Sequence, residues 1–174
     1  GVDTAHYPVS LAVINLATRE LVAEENYPRI AHRDFFTVFR GLGILGLPVR
    51  GDAKLDTSGV GGSKTQFALP DVDAVVGNLP YVRQEAIEDK GRLVEALGKD
   101  FGANAPHLSG RADLHVYFWP HVTPFLYEGG YLGFLTSNSW LDVDYGKDLQ
   151  KFILDHYKLV AIIESKVERW FPEA

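Results

Sequence analysis

The sequence predicts an α/β protein built on a mostly parallel sheet with helices on both faces. Three observations carry this expectation. Candidate strands alternate with candidate helices, the strands are apolar on both faces as doubly covered strands must be, and 174 residues fit one domain. A domain of that size buries about 70% of its unfolded surface without staples. Hydrophobic residues make up 46%, charged residues 23% and aromatics 12%, which excludes a disordered tail, a collagen-like fibre or a low-complexity linker. Seventeen Lys and Arg against 23 Asp and Glu leave a net charge of −6. That sign is wrong for gripping nucleic acid by bulk electrostatics, so a polynucleotide partner would be held locally or by parts outside this chain. With no cysteine there is no disulfide framework, thiolate zinc site or cysteine nucleophile. No apolar run reaches the roughly 18 residues of a membrane span, and Gly1-Val2-Asp3-Thr4-Ala5-His6 lacks the features of a signal peptide. A soluble, cytoplasmic protein without membrane contact is expected.

A stub of strand at the amino end precedes a helix from Pro8, in the first turn where proline is tolerated, through Val9, Leu11, Ala12, Val13, Ile14 and Leu16 to about Glu20. Residues 27–32 are a short strand ending in Arg33-Asp34-Phe35-Phe36, and Ala74-Val75-Val76 is a β-branched strand stopped by Gly77 and Pro80. The connection over residues 41–70 holds seven glycines and two prolines, and its length marks a mobile or functional loop. Residues 85–101 read as a charged, solvated helix or lid with apolar positions at Leu93, Val94 and Leu97, within a variable region over 83–112. Over residues 113–127, Leu114, Phe118, Val122 and Phe125 form one helical stripe, stopped by Glu128-Gly129-Gly130. Tyr131-Leu132-Gly133-Phe134-Leu135-Thr136 follows as an apolar strand. A last helix over residues 145–157 turns Leu149, Phe152 and Ile153 inward, and Leu159-Val160-Ala161-Ile162-Ile163 reads as a final apolar strand.

Two glycine patterns mislead. Gly41-Leu42-Gly43-Ile44-Leu45-Gly46 matches a dinucleotide fingerprint, but Pro48, Gly51 and Asp52 follow, and no helix amino terminus is there to hold a pyrophosphate. Gly59-Val60-Gly61-Gly62-Ser63-Lys64-Thr65 lacks the Gly-Lys-Ser/Thr ending of a phosphate loop. The six histidines, at 6, 32, 107, 115, 121 and 156, are scattered and form no zinc-helix pair with glutamate, so no metal is expected.

Chemistry points to Asn78-Leu79-Pro80-Tyr81, which leaves the strand at its carboxyl end, where open α/β sheets place their ligand crevice. Asn78 offers an amide oxygen. Leu79, standing before proline, is pushed to extended φ/ψ, which limits where its carbonyl points. Two acceptors can thus address one amine, and Tyr81 offers a flat face for a base, a stack worth roughly 1–3 kcal/mol. The chemistry that needs this is alkylation of an amine whose lone pair is delocalised into a heteroaromatic ring: acceptors on its N–H bonds localise the lone pair and orient it.

The tetrad Asn78-Leu79-Pro80-Tyr81 resembles the Asn-Pro-Pro-Tyr motif of S-adenosylmethionine-dependent amino-methyltransferases. Asp73 to Glu85 resembles the run around that motif in large N6-adenine DNA methyltransferases of the Eco57I-like restriction-modification type. Ser109 to Phe118, then Gly129 to Leu141 and Tyr145-Gly146-Lys147, and on through Phe171-Pro172, are similar to that family's later segments. The resemblance implies a Rossmann-like methyltransferase fold, methyl transfer from S-adenosylmethionine to the N6 amine of an adenine flipped out of DNA, and Asn78, Leu79, Pro80 and Tyr81 as the catalytic residues. It also implies cofactor-binding residues. Asp3 is similar to the acidic residue that accepts from the cofactor ribose hydroxyls, Asp34 to the aspartate that binds the cofactor adenine amine, and Phe35 would pack near that ring. Each carboxylate also has a structural reading: Asp3 could cap its helix and Asp34 could end a strand.

Leucine at position 79 departs from the DNA-enzyme pattern; the expectation is that it keeps the carbonyl acceptor and loses only backbone stiffness. Ala5, His6 and Pro8 depart from the usual first-motif residues. On the family pattern the chain is an interior fragment, residues 1–174 of a partial catalytic domain, lacking the Gly-rich first motif, the central strand and the target-recognition domain. It is therefore expected to be inactive alone and to meet DNA mainly through the missing regions. The alternatives are an RNA adenine dimethylase, which leucine at 79 would suit, and a non-catalytic scaffold with this fold.

Overall fold

A computed structural model of the chain describes residues 1–19, 30–41, 43–45 and 66–165. Two compact units divide it, Gly1–Pro70 and Asp71–Ala174.

In the first unit the amino-terminal strand β1, Val2–Asp3, pairs in parallel with β2, Ala31–His32, in the register Val2 to Ala31 and Asp3 to His32. Helix α1, His6–Ala17, follows β1 and carries Pro8 in its first turn, where the missing N–H removes no intrahelical bond. Ile30, Ala31, Phe36 and Val38 form the buried cluster of this unit together with Val9. The long glycine-rich connection is not wholly a loop. Gly43–Leu45 (β3) pairs antiparallel with Gln66–Ala68 (β4), so it opens and closes in strand pairing. Gly43 of the fingerprint look-alike thus stands in a strand. Of residues 41–70, for which mobility was expected, 42 and 46–65 lie outside the described residues, as does the start of the strand expected over 27–32.

The second unit is built on β5, Val72–Asn78, and β6, Leu126–Leu135, which run parallel from Ala74 opposite Tyr131 to Asn78 opposite Leu135. Between the pairs Val72 to Leu126 and Ala74 to Tyr131 the register shifts, a bulge on β6. Gly129 there has φ +82°, and at Gly130 a Cβ would stand 2.9 Å from the Tyr127 carbonyl oxygen. The glycine pair therefore shapes a strand instead of stopping a helix. The helix before it, α3, ends earlier, at Leu114–Val122, and gives way to a 3-10 turn over Thr123–Phe125. Pro124 has no N–H to continue an α-helical ladder.

Helix α2, Lys90–Phe101, differs from the solvated lid its charges suggest. The Asp89 side chain caps it by accepting from the Arg92 N–H, and Leu93, Ala96 and Leu97 are buried on one stripe while Val94 is exposed. Ala96 completes the i, i+3, i+4 spacing that two leucines alone leave weak. Between α2 and α3 the buried Asp100 carboxylate meets the buried His121 imidazole. Short helix α4, Ser139–Asp142, and then α5, Gly146–His156, complete the order; α5 buries Leu149, Phe152 and Ile153 as its periodicity predicts. Gly146 admits no side chain, because a Cβ would run into the Trp140 carbonyl.

The final strand is a corrected expectation. Residues 159–163 form no strand with any described partner, and Val160 and Ile163 are exposed. An apolar β-branched run becomes a strand only against a ladder partner, and a cleft separates this one from β6. Among the described residues of the second unit, helix packing is seen on one face of the sheet. Trp119 of α3 packs edge-on against Phe134 at 5.1 Å, whereas Val76 and Tyr131 stand exposed on the opposite face. The described architecture is mixed α/β with short parallel strands.

His115, buried on α3 with no partner for its Nε2 among the described residues, has its pKa lowered by burial, against an opposing attraction from Asp113. The folded state thus resists protonating it while the unfolded chain takes the proton near the ordinary pH of about 6.5. Stability from this group is complete above that value and declines as the pH falls below it. Thermal melts should give a lower midpoint at pH 5.5 than at pH 7.5, and His115→Gln should reduce that difference.

Candidate active site

Asn78 is the last residue of β5, and its side chain is exposed. Among the described residues no hydrogen bond engages its amide. The chain then leaves the sheet with one further ladder bond: the Leu79 N–H donates to the Leu135 carbonyl at 2.9 Å, and the Leu79 side chain is buried. Leucine at 79 therefore contributes an N–H to the ladder. A proline there would have no N–H to give, so the departure from the family pattern adds a backbone hydrogen bond at the strand exit. The Pro80 carbonyl accepts from the Val82 N–H at 3.0 Å, and the Val82 carbonyl from the Leu114 N–H at 3.0 Å. These bonds tie the tetrad to the start of α3.

Tyr81 is 44% exposed and lines a cleft of about 350 Å³ at the carboxyl ends of β5 and β6, with Trp119, Phe134, Thr136, Asn138 and Trp140. Asn78 and Leu79 are not part of its wall. The cleft is aromatic with a few polar groups, and two of those, Trp119 Nε1 and Thr136 Oγ1, are buried with no hydrogen-bond partner among the described residues. Asn138, on its wall, donates from Nδ2 to Glu164 Oε1 at 2.9 Å. Such a cavity suits a flat, largely apolar ligand with a few polar edges.

A hydrogen-bonded chain absent from the sequence expectations runs beside the tetrad. Asp113 Oδ1 accepts from the Gln84 N–H at 2.9 Å, and Asp113 Oδ2 accepts from the Tyr145 hydroxyl at 2.7 Å. The same hydroxyl lies 3.1 Å from Ser139 Oγ, which lies 3.1 Å from Ser137 Oγ. Burial raises the Tyr145 pKa, the bond to Ser139 opposes the shift, and Asp113 adds to it, so the phenol stays protonated. The only sequence sign of this was an acidic residue just before a helix, which ordinarily reads as an N-cap. Here Asp113 makes no side-chain cap to its own helix.

In the first unit, Asp3 closes β1 and Asp34 follows the end of β2, so both aspartates stand at the carboxyl ends of adjacent parallel strands. Asp3 does not cap α1, whose N-cap is Ala5, but each carboxylate does hold a nearby backbone N–H. Asp3 Oδ1 accepts from the Ala5 N–H at 2.8 Å, and Asp34 Oδ1 caps the 3-10 turn Phe35–Thr37 through the Phe36 N–H at 3.0 Å. Phe35 is half-buried, its ring tilted 60° to Phe36 at 6.3 Å. Beside them His32 stacks on His6 with centroids 3.5 Å apart, and His32 Nε2 lies 2.8 Å from the Thr4 carbonyl oxygen. The structure thus brings Asp3 together with Asp34 in one unit, and Asn78 to Tyr81 together in the other. No group of His, Asp and Glu suited to a metal occurs among the described residues, and none of the described helices is long and apolar enough to cross a membrane.

Leu79→Pro removes the bond to Leu135 and a buried side chain together. It should destabilise the fold by about 1–3 kcal/mol, read as a lower denaturation midpoint at unchanged slope.

Comparison with known sequences bears on this arrangement. The chain is 42% identical over 92 residues to the type II methyltransferase M.BstVI of Geobacillus stearothermophilus, covering 53% of this chain and 15% of that protein. Over 166 residues, 92% of this chain, it is 28% identical to the type II methyltransferase M.BanIII of Aneurinibacillus aneurinilyticus, of which it spans 27%. The type II methyltransferase M.XhoI of Xanthomonas vasicola is 34% identical over 92 residues, 53% of this chain and 16% of that protein. The chain thus spans less than a third of each of these relatives. The sequence profile of the Eco57I restriction-modification methylase family matches residues 12–171, nearly the whole chain, which therefore belongs to that family.

Proposed function

We propose that the protein carrying this chain transfers a methyl group from S-adenosylmethionine to the N6 amine of adenine in DNA, on a Rossmann-like methyltransferase fold. One observation carries the reading: Asn78-Leu79-Pro80-Tyr81 ends a parallel strand, with an uncommitted Asn78 amide and Tyr81 on the wall of an aromatic cleft. The relatives' names, as type II methyltransferases, support DNA over RNA as the polymer. The remainder of the protein makes most of the contacts to the duplex, as the net charge of −6 suits.

In this reading the Asn78 Oδ1 and the Leu79 carbonyl accept the two N–H bonds of the extruded adenine amine while Tyr81 stacks on the ring. Hydrogen bonds to both N–H groups draw the nitrogen lone pair out of conjugation and hold it toward the methyl donor. When bound, the cofactor supplies the electrophilic methyl group. The amine becomes positively charged only as the new N–C bond forms, so its surplus proton leaves easily and no strong base is needed beforehand. Pro80 keeps Leu79 extended and so limits the direction of its carbonyl. Extruding the base costs a few kcal/mol, which stacking on Tyr81 partly offsets.

Asp3 and Asp34, at the ends of adjacent parallel strands, fit the cofactor's adenosine part: Asp3 would accept from the ribose hydroxyls and Asp34 from the adenine amine, with Phe35 against the ring. Asp3 Oδ1 is already held by the Ala5 N–H, which fixes the carboxylate's direction.

The test uses the complete protein. Incubation with DNA and S-adenosylmethionine, then digestion to nucleosides and mass spectrometry, should show N6-methyladenine; its absence would sink the proposal. Asn78→Ala should reduce transfer by at least about 100-fold, with cofactor affinity by calorimetry nearly unchanged. Asp3→Ala should raise the cofactor dissociation constant about tenfold or more, the effect of a lost charge-assisted hydrogen bond. An unaltered constant would remove Asp3 from the site.

A further inference from the structure

We infer that Asp113 is a positioning residue for the tetrad, and that its bond to Tyr145 sets the distance across the cleft between Tyr81 and the loop at 137–139. The inference rests on the methyl-transfer reading above for its consequence, but its geometry is independent of it. Two segments distant in sequence meet at this one carboxylate, and a third is reached through one of them. The first is the tetrad's exit, through the Gln84 N–H on Oδ1 at 2.9 Å. The second is the start of α5, through the Tyr145 hydroxyl on Oδ2 at 2.7 Å. The third is the loop after β6, reached through Tyr145 and Ser139 Oγ at 3.1 Å and held by the Ser139 N–H on Ser137 Oγ at 3.2 Å.

The direction of the bonds follows from chemistry. A carboxylate only accepts, so the single phenolic proton goes to Asp113; the Ser139 hydroxyl then donates to the phenol oxygen, and the Ser137 hydroxyl to Ser139. Each hydroxyl is oriented by the next, and the chain ends on a group that cannot reverse it. Tyr81 and Ser137 both line the cleft, and each lies a few residues from an anchored atom of this chain. Cleft width thus depends on Asp113, although Asp113 does not line the cleft. A carboxylate with both oxygens used in this way is poorly placed to take a proton from substrate, so its contribution is geometric. Since a displacement of about 1 Å at a reacting centre can cost 100-fold in rate, such a residue matters to turnover without touching the base.

Variants of the complete enzyme test this. Asp113→Asn is the conservative change: its amide oxygen can still accept from Gln84 and its NH2 can donate to the Tyr145 oxygen. Asp113→Ala should slow single-turnover methyl transfer roughly 30-fold and Tyr145→Phe roughly tenfold. Asp113→Asn should stay within about threefold of wild type, and cofactor affinity should be unchanged in all three. Hydrogen exchange supplies a second readout that needs no activity: the Gln84 amide should exchange at least about tenfold faster in Asp113→Ala, while amides of β5 keep their protection. Wild-type rate constants in Asp113→Ala and Tyr145→Phe, or equal losses in Asp113→Ala and Asp113→Asn, overturn the inference. So does unchanged exchange at Gln84. If wild-type enzyme methylates no DNA, the methyl-transfer reading fails, and exchange at Gln84 alone decides whether Asp113 holds the exit. Should Asp113→Ala not fold, Tyr145→Phe and Asp113→Asn still decide the outcome.

Discussion

The second unit depends on the register that sets Asn78 opposite Leu135 and lets the next residue, Leu79, donate to that same leucine's carbonyl. A slip of one residue would turn every side chain of β5 to the other face, because strand side chains alternate. Asn78 would then point toward the helices, and Tyr81 would leave the cleft. The glycines of the β6 bulge protect that register at the opposite end. They absorb the surplus residues before the regular pairing from Ala74 to Asn78 begins. Leu79 is buried at the strand exit. The tetrad is therefore the place where a regular ladder hands over to a loop fastened to α3.

The same economy runs through the first unit. A short parallel pair ends in two aspartates, and each uses one carboxylate oxygen to stop its own segment of chain. A backbone bond accepted by a carboxylate oxygen fixes the direction of that carboxylate.

Much of this was legible in residue patterns, for reasons that differ by element. α5 was plain because Leu149, Phe152 and Ile153 follow the helical period with no competing signal. β5 was legible from its β-branched run, but Gly77 did not stop it: the strand pairs on through Gly77 and Asn78, and the turn comes at Pro80. The tetrad stood out because Asn and Pro at a strand end form a chemical pattern as well as a turn. α2 was misjudged because its stripe depends on Ala96, a residue too small to register as apolar patterning. Glu128-Gly129-Gly130 read as a helix stop because glycine marks both stops and bulges, and only the facing strand decides between them. The run at 159–163 has strand composition, yet pairing is a property of two segments and its edge is not met here. The Asp113 chain was invisible for the same reason: residues 84, 113, 139 and 145 become neighbours only once β5, α3, β6 and α5 are assembled.

The central claim is that Asn78 and Leu79 jointly bind the amine of a flipped adenine. The most direct measurement is a crystal structure of the complete enzyme with duplex DNA and a non-reactive cofactor analogue. The account predicts an adenine outside the helix, its N6 within about 2.7–3.2 Å of both Asn78 Oδ1 and the Leu79 carbonyl oxygen, and its ring against Tyr81. A flipped base bound elsewhere, or those two oxygens turned away from each other and satisfied by protein groups, would contradict it.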